Sequence, residues 1–201
     1  MFYNGGGVKD MARERKFTTE ELYRATEELL LTHHYEGFQF SLVADHLHVS
    51  RGAIYKYFEN KEELITEYML YKMEQFLHEL KEINSIEGFH AQFDYLLNLM
   101  FKNPELYQLI EIGKRVPVHI NEKVKENKEK LESYHIEMYR CVQGLIESAK
   151  REQQLNPNIP DPVVLGYIFQ SVAIPNHFGI PHDKWVQSIK EMICHGIFKD
   201  F

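Results

Sequence analysis

Residues 39–64, QFSLVADHLHVSRGAIYKYFENKEEL, constrain this chain more than any other feature, because two short amphipathic segments meet there around a tight turn. Phe40, Val43, Ala44 and Leu47 fall at helical spacing on one face of the first segment. His48-Val49 make the turn, Ser50 offers a side-chain oxygen to cap a second helix, and Ile54 and Phe58 recur four apart on its inner side. At about 100° per residue from Arg51, the residues Gly52, Ala53 and Lys56 face the other way, with Tyr55 and Tyr57 on the flanks. The pattern predicts a helix-turn-helix with a small, partly basic outer face. Small residues let a backbone approach base edges in a major groove, and phenol hydroxyls on both shoulders reach phosphates on its walls.

The run Val49-Ser50-x-Gly52-x-Ile54-Tyr55-x-Tyr57-Phe58-x-x-Lys61-Glu62-x-Leu64 resembles the DNA-binding signature of the TetR family of bacterial transcriptional regulators. The resemblance covers residues 17 to 65; beyond them the chain is similar to the family only in length and helical pattern. It implies a helix-turn-helix head over 17–62, following a flexible arm over 1–16, and an effector-binding and dimerisation domain over 63–201. It also implies DNA contacts from Gln39, Ser41, Ser50, Arg51, Gly52, Ala53, Tyr55, Lys56, Tyr57 and Lys61. The partners implied are a pseudo-palindromic double-stranded operator, a second copy of the chain and a small-molecule effector that releases a repressor. Three positions depart from the family pattern. Gly is usual where His48 and His34 stand, and Thr where Gln39 stands. Histidine enters left-handed backbone more readily than most residues, so both turns are expected to survive. Gln39 is a poorer cap than Thr, which weakens the expected phosphate contact there.

A chain of 201 residues, 44% hydrophobic, can bury a substantial core. No apolar run approaches the ~18 residues that span a bilayer, and no signal-peptide core opens the sequence, so a cytoplasmic protein is expected. Two cysteines, Cys141 and Cys194, without metal spacing, fit a reducing compartment and no disulfide framework. The Gly-rich opening MFYNGGGVKD reads as an arm, a remnant or an upstream start, since Met11 could also begin the protein. The net charge of −7 argues against indiscriminate coating of nucleic acid. Positive charge gathers instead at Arg51, Lys56 and Lys61, with Lys9, Arg13, Arg15 and Lys16 on the arm, which favours docking in one orientation.

Along the chain, Thr18 and Glu21 form a capping box, Phe17 and Leu22 a hydrophobic staple, and Leu22, Ala25, Leu29 and Leu30 a buried stripe. Asn60 to Glu63 repeat the capping pattern and start a helix over 61–82. Ser85 is expected to cap a helix running to Asn103, and Asn103 a short one ending before Pro117. A long charged helix is expected over 119–154, then a break at Asn156-Pro-Asn-Ile-Pro. Asp161-Pro162 begin an apolar helix ending at Pro175, and Asp183 caps the last. The sum is an all-α fold of about nine helices with no sheet.

Other chemistry is sparse. His90, His119, His135 and His177 lie on different elements without ligand spacing, so no metal is expected, and no cofactor motif appears. No phosphate loop, nucleophile elbow or His–Cys pair supports an enzyme. Cys141 on a long helix reads as packing before redox sensing.

The aromatic and methionine stripes of the body read as core, but the resemblance implies an effector cavity between these helices. Candidate lining residues are Tyr68 and Tyr71 on the linking helix, and Phe93, Tyr95, Leu97 and Met100 on the next. Tyr107, Ile110, His119, Tyr134, Met138 and Phe169 complete the set, which suits a mostly apolar molecule. The last two helices are apolar on more than one face. Val163, Val164, Tyr167, Ile168 and Ser171 on one, with Trp185, Ile189, Met192, Ile193 and Gly196 on the other, predict a homodimer interface. Two other readings stay open: a helical small-molecule-binding or enzyme-like body with a vestigial head, and an architectural DNA binder without effector.

Overall fold

The computed structural model describes residues 16–103 and 105–197, apart from the side chain of 197. Its elements are all helices: α1 (Thr19–Gly37), α2 (Phe40–His46), α3 (Arg51–Ile54), α4 (Lys61–Lys81), α5 (Phe89–Lys102), α6 (Glu105–Arg115), α7 (Glu122–Cys141), α8 (Gln143–Arg151), α9 (Asp161–Gln170) and α10 (His182–Ile197). Short 3-10 turns follow α4 at Glu82–Ser85 and α9 at Ser171–Ala173. The span expected as one helix over 119–154 is bent at Val142 into α7 and α8; counted as one bent rod, it leaves the nine helices the sequence predicts. Among the described residues, no helix is long and apolar enough to cross a membrane. The arm cations Lys9, Arg13 and Arg15 lie outside the described residues.

The head is set by local signals. Glu21 N–H donates to Thr18 Oγ1 at 3.1 Å while Thr18 N–H donates to the Glu21 carboxylate at 2.7 Å, closing the capping box on α1. Asn60 Oδ1 accepts from Glu63 N–H at 2.8 Å at the start of α4, and the Glu63 carboxylate reaches back to Glu59 N–H. His34 and His48 adopt φ of 55° and 54°, the left-handed region for which glycine is the ordinary choice. The backbone geometry of both turns is thus kept without glycine. The head core of Phe17, Leu22, Leu30, Phe38, Phe40, Ile54 and Phe58 runs without a break past residue 62 into Leu64, Ile65 and Tyr68 of α4, and takes in Leu109 and Ile112 of α6.

In the body, α5 is buried over most of its circumference, through Phe89, Phe93, Leu96, Leu97, Leu99, Met100 and Phe101. It begins after Gly88, at φ 84°, rather than at Ser85, whose hydroxyl turns back to Glu82 O at 2.7 Å. The cap for α5 comes from far along the chain: Phe89 N–H donates to the Glu152 carboxylate at 3.1 Å. The apolar helix α9 is shorter than expected, giving way to the 3-10 turn at Ser171.

The expected dimer residues divide. Val164, Ile168, Ser171, Ile189 and Ile193 are buried in the protomer's own core, Ser171 with its hydroxyl donated to Ile168 O, and Trp185 is half-buried against them. The five buried side chains close the protomer's own core, while Trp185 keeps part of its ring exposed. Val163, Tyr167 and Met192 are exposed at 57%, 47% and 57%. Gly196 falls in the last turn of α10.

Candidate DNA interface and ligand cavity

The outer face of α3 is built by what its inner face buries. Ile54 and Phe58 are sunk in the head core, which turns Arg51, Gly52, Tyr55, Lys56 and Tyr57 outward. Arg51 and Lys56 make no ion pair among the described residues, so both cationic heads are free to extend. The two tyrosines are braced by ring edges: Tyr55 against Phe40 at 5.0 Å between centroids, and Tyr57 against Phe17 at 5.7 Å. Gly52 is open, with nothing nearer than Ser50 Oγ at 4.0 Å to where a Cβ would stand.

Several expected contacts sit differently. Ser50 is exposed but makes no side-chain cap to α3, which is one turn long and held by the backbone bond from Ala53 N–H to Ser50 O at 2.8 Å. Ala53 is half-buried against the head core rather than fully outward. Gln39 precedes α2 without a side-chain cap and is exposed, and Ser41 beside it is half-buried. Lys61 is turned inward: its Nζ donates to Tyr35 O at 2.6 Å and lies 4.2 Å from the centre of the Tyr35 ring. The Tyr35 hydroxyl in turn donates to Glu62 at 2.8 Å. Burial and that carboxylate push the Tyr35 pKa up to about 12.

Below the head, α4, α5, α6 and α7 with the end of α9 surround a cavity of about 490 Å³. Met69, Met73, Phe76, Met100, Leu106, Tyr107, Ile110, Leu131, Met138, Tyr139, Phe169 and Val172 make its apolar wall. Four of the chain's seven methionines face it, and unbranched thioethers give a wall that can re-form around different occupants. Polar groups are few: Asn103, Gln170, His135 and the charges Glu111, Lys114, Lys128 and Glu132. Its size and composition match small-molecule sites.

Cavity and head are tied by packing and polar bonds. Arg115, at the end of α6, pairs with Glu36 of α1 at 2.9 Å, and Lys72 of α4 with Glu27 of α1 at 3.1 Å. The Asn121 side chain at the start of α7 donates to Glu63 in the first turn of α4, and buried Asn127 donates to Thr66 Oγ1 at 2.9 Å.

Residues 22–68 match the family model described as bacterial regulatory proteins, tetR family. The head is a TetR-family DNA-binding domain. Similarity to solved structures extends through the body. The ketosteroid transcriptional regulator KstR2 of Mycobacterium tuberculosis is 15% identical over 94% of this chain and 97% of its own, with a TM-score of 0.71. The regulator FadR from Bacillus subtilis, solved with stearoyl-CoA, is 18% identical over 90% and 100%, at 0.65. The TetR-family regulator PfmR from Thermus thermophilus is 13% identical over 87% and 97%, at 0.69. The whole chain therefore has the fold of a TetR-family transcriptional regulator. No curated protein matches it by sequence.

In this TetR-like body, Met100, Tyr107, Ile110, Met138 and Phe169 line the cavity as the sequence predicts. The other candidates do not. Tyr68 is wholly buried where α4 meets the head, and Tyr71 packs on Tyr23 of α1 at 4.9 Å between centroids. Phe93 and Leu97 point into the core, Phe93 stacked on Phe89. Tyr95 donates its hydroxyl to Glu79 O at 2.6 Å, and His119 is exposed in the turn after α6. Tyr134 faces a separate groove with Glu74, Leu77 and Lys81. Met73 and Phe76 were missed, although they follow Met69 at four and seven residues along α4, a spacing that marks one helical face. Among the described residues, no three metal-binding side chains gather anywhere. Burial raises the Cys141 and Cys194 thiol pKa values, which leaves both thiols protonated and poor nucleophiles.

Proposed function

We propose that this TetR-like regulator is a repressor that binds a pseudo-palindromic operator as a homodimer and is released by a mostly apolar small molecule in the body over 63–201. The observation that carries the DNA reading is the outer face of α3. There two cations without an ion pair among the described residues and two braced tyrosines surround an open glycine. Arg51 and Lys56 have the reach to read bases, while Tyr55 and Tyr57 hold phosphates. Lys61, fixed on Tyr35 O, has two further N–H donors for a phosphate. A vestigial head has no need of this set.

Val163, Tyr167 and Met192, apolar and exposed on the last two helices, are the protomer's side of the dimer. Two heads on such a dimer must stand about one turn of DNA apart, ~34 Å, or near a multiple of it. The cavity touches α4 through Met69 and Met73 and α6 through Ile110 and Gly113, so an occupant acts on the two helices that support the head. An effector that prefers the wider-spaced state by a few kcal/mol releases the operator. FadR solved with stearoyl-CoA supports an effector with a large apolar part.

Selection of bound fragments from genomic DNA tests the reading. A small set of strongly enriched fragments sharing an inverted repeat is expected, whereas flat recovery contradicts sequence-specific binding.

A further inference from the structure

We propose that the cavity is shaped for an amphipathic anion, an apolar body bearing one acidic head, and that Lys128 is the anchor for that head. This rests on the cavity being the effector site.

The charges on the cavity wall are not equivalent. Glu111 and Lys114 pair with each other at 2.5 Å and are neutralised. Glu132 is exposed, so water screens it. Lys128 is half-buried, and among the described residues no carboxylate lies within ion-pair distance of it. Its Nζ donates instead to Val116 O at 2.6 Å and lies 3.5 Å from Gly113 O, at the C-terminal end of α6. An ammonium held by carbonyls alone keeps its full charge, offset only in part by the negative end of the α6 dipole, and it stands on a predominantly apolar wall without a carboxylate partner among the described residues. One N–H of the three is free for an incoming oxygen even with both carbonyls engaged.

The position also couples the head group to the protein's switch. An anion on Lys128 competes with Val116 O and Gly113 O for the ammonium. Arg115, between those residues, carries the ion pair to Glu36 of the head. An acidic head therefore loosens the end of α6 where it meets α1, while a neutral ligand of the same shape fills the cavity without doing so.

Calorimetric titration of the whole protein at neutral pH with dodecanoate, dodecanol and dodecylamine, each below its micelle concentration, tests this. Dodecanoate should bind about ten-fold or more tightly than dodecanol, the worth of one charge-assisted hydrogen bond. Lys128→Met should bring dodecanoate down to the level of dodecanol and leave dodecanol unchanged; Lys128→Arg should keep the preference. Equal binding of acid and alcohol by the wild type, or tighter binding of the amine, overturns the anion inference and leaves the cavity reading standing. Loss of all three probes in Lys128→Met with the preference also lost in Lys128→Arg overturns the anchor role. Binding of no probe by the wild type overturns the cavity reading and the inference with it.

Discussion

Met69 of α4 lies across Gly113 of α6 so closely that a Cβ built on Gly113 would stand 2.1 Å from the Met69 methyl carbon. The contact is one where α4 and α6 meet, and both residues also line the cavity. A side chain at 113 cannot coexist with the present Met69 rotamer, but the thioether is flexible and has the cavity to turn into. Gly113→Ala should therefore cost little stability, because about 1 kcal/mol of helix propensity gained offsets the repacking. It should weaken probe binding by filling part of the cavity. Thermal unfolding with probe titration checks both; unaltered probe binding contradicts the assignment of Met69 to the cavity wall.

His34 and His48 hold positive φ, and His34 combines it with ψ of −175°, at the edge of a region that is nearly glycine's alone. Replacement by glycine relieves ~1–2 kcal/mol of backbone strain at the left-handed position and returns ~0.5–1 kcal/mol as unfolded-state entropy. His48→Gly and His34→Gly should each raise the denaturation midpoint, His34→Gly by more. A fall in either midpoint refutes the strain.

Tyr68 is 0% exposed, and among the described residues its hydroxyl makes no hydrogen bond of ordinary geometry, although the Glu27 carboxylate lies close to it. Burial, with the Glu27 carboxylate nearby, holds its pKa far above the ordinary 10.0. A buried hydroxyl without a well-formed hydrogen bond costs about 1–3 kcal/mol, so Tyr68→Phe should stabilise the protein by about 1 kcal/mol in denaturant unfolding if Glu27 satisfies it only poorly. Destabilisation would reveal a partner for the hydroxyl.

The fold disfavours ionised Tyr35, whose pKa rises from 10.0 to about 12. A raised folded-state pKa contributes stability that is whole below about pH 10 and is lost as pH climbs towards 12. Tyr35→Phe keeps the carbonyl that Lys61 uses and the ring beneath its ammonium but removes the titrating hydroxyl. Its melting temperature should fall less steeply across that alkaline range than the wild type's. Parallel curves would show that Tyr35 ionises as freely in the fold as in the unfolded chain.

The head is legible in sequence because its signals are short-range. Thr18 with Glu21, Asn60 with Glu63, and Ile54 four residues before Phe58 each specify a local geometry that the fold keeps. Ser50 misleads because its carbonyl, not its hydroxyl, closes the single turn of α3 by accepting from Ala53 N–H. The cavity is less legible, since helical spacing says which residues share a face and not what that face meets. Phe93 and Met100, seven apart on one stripe of α5, are both buried in the body's core, yet only Met100 also reaches the cavity. Val163 and Val164 are alike in sequence and opposite in exposure, because α9 is apolar all round and its orientation is set only by what packs against it.

The most direct test of the central claim is fluorescence anisotropy on one enriched duplex and its scrambled counterpart, with wild type and Arg51→Ala/Lys56→Ala, in matched salt. The wild type should prefer the enriched duplex by about 10³-fold or more, the usual margin of specific over non-specific binding. The double variant should stay folded and lose most of that preference, at ~1–3 kcal/mol for each base-reading side chain. A folded double variant that discriminates as well as the wild type would contradict the assignment of α3 as the reading helix.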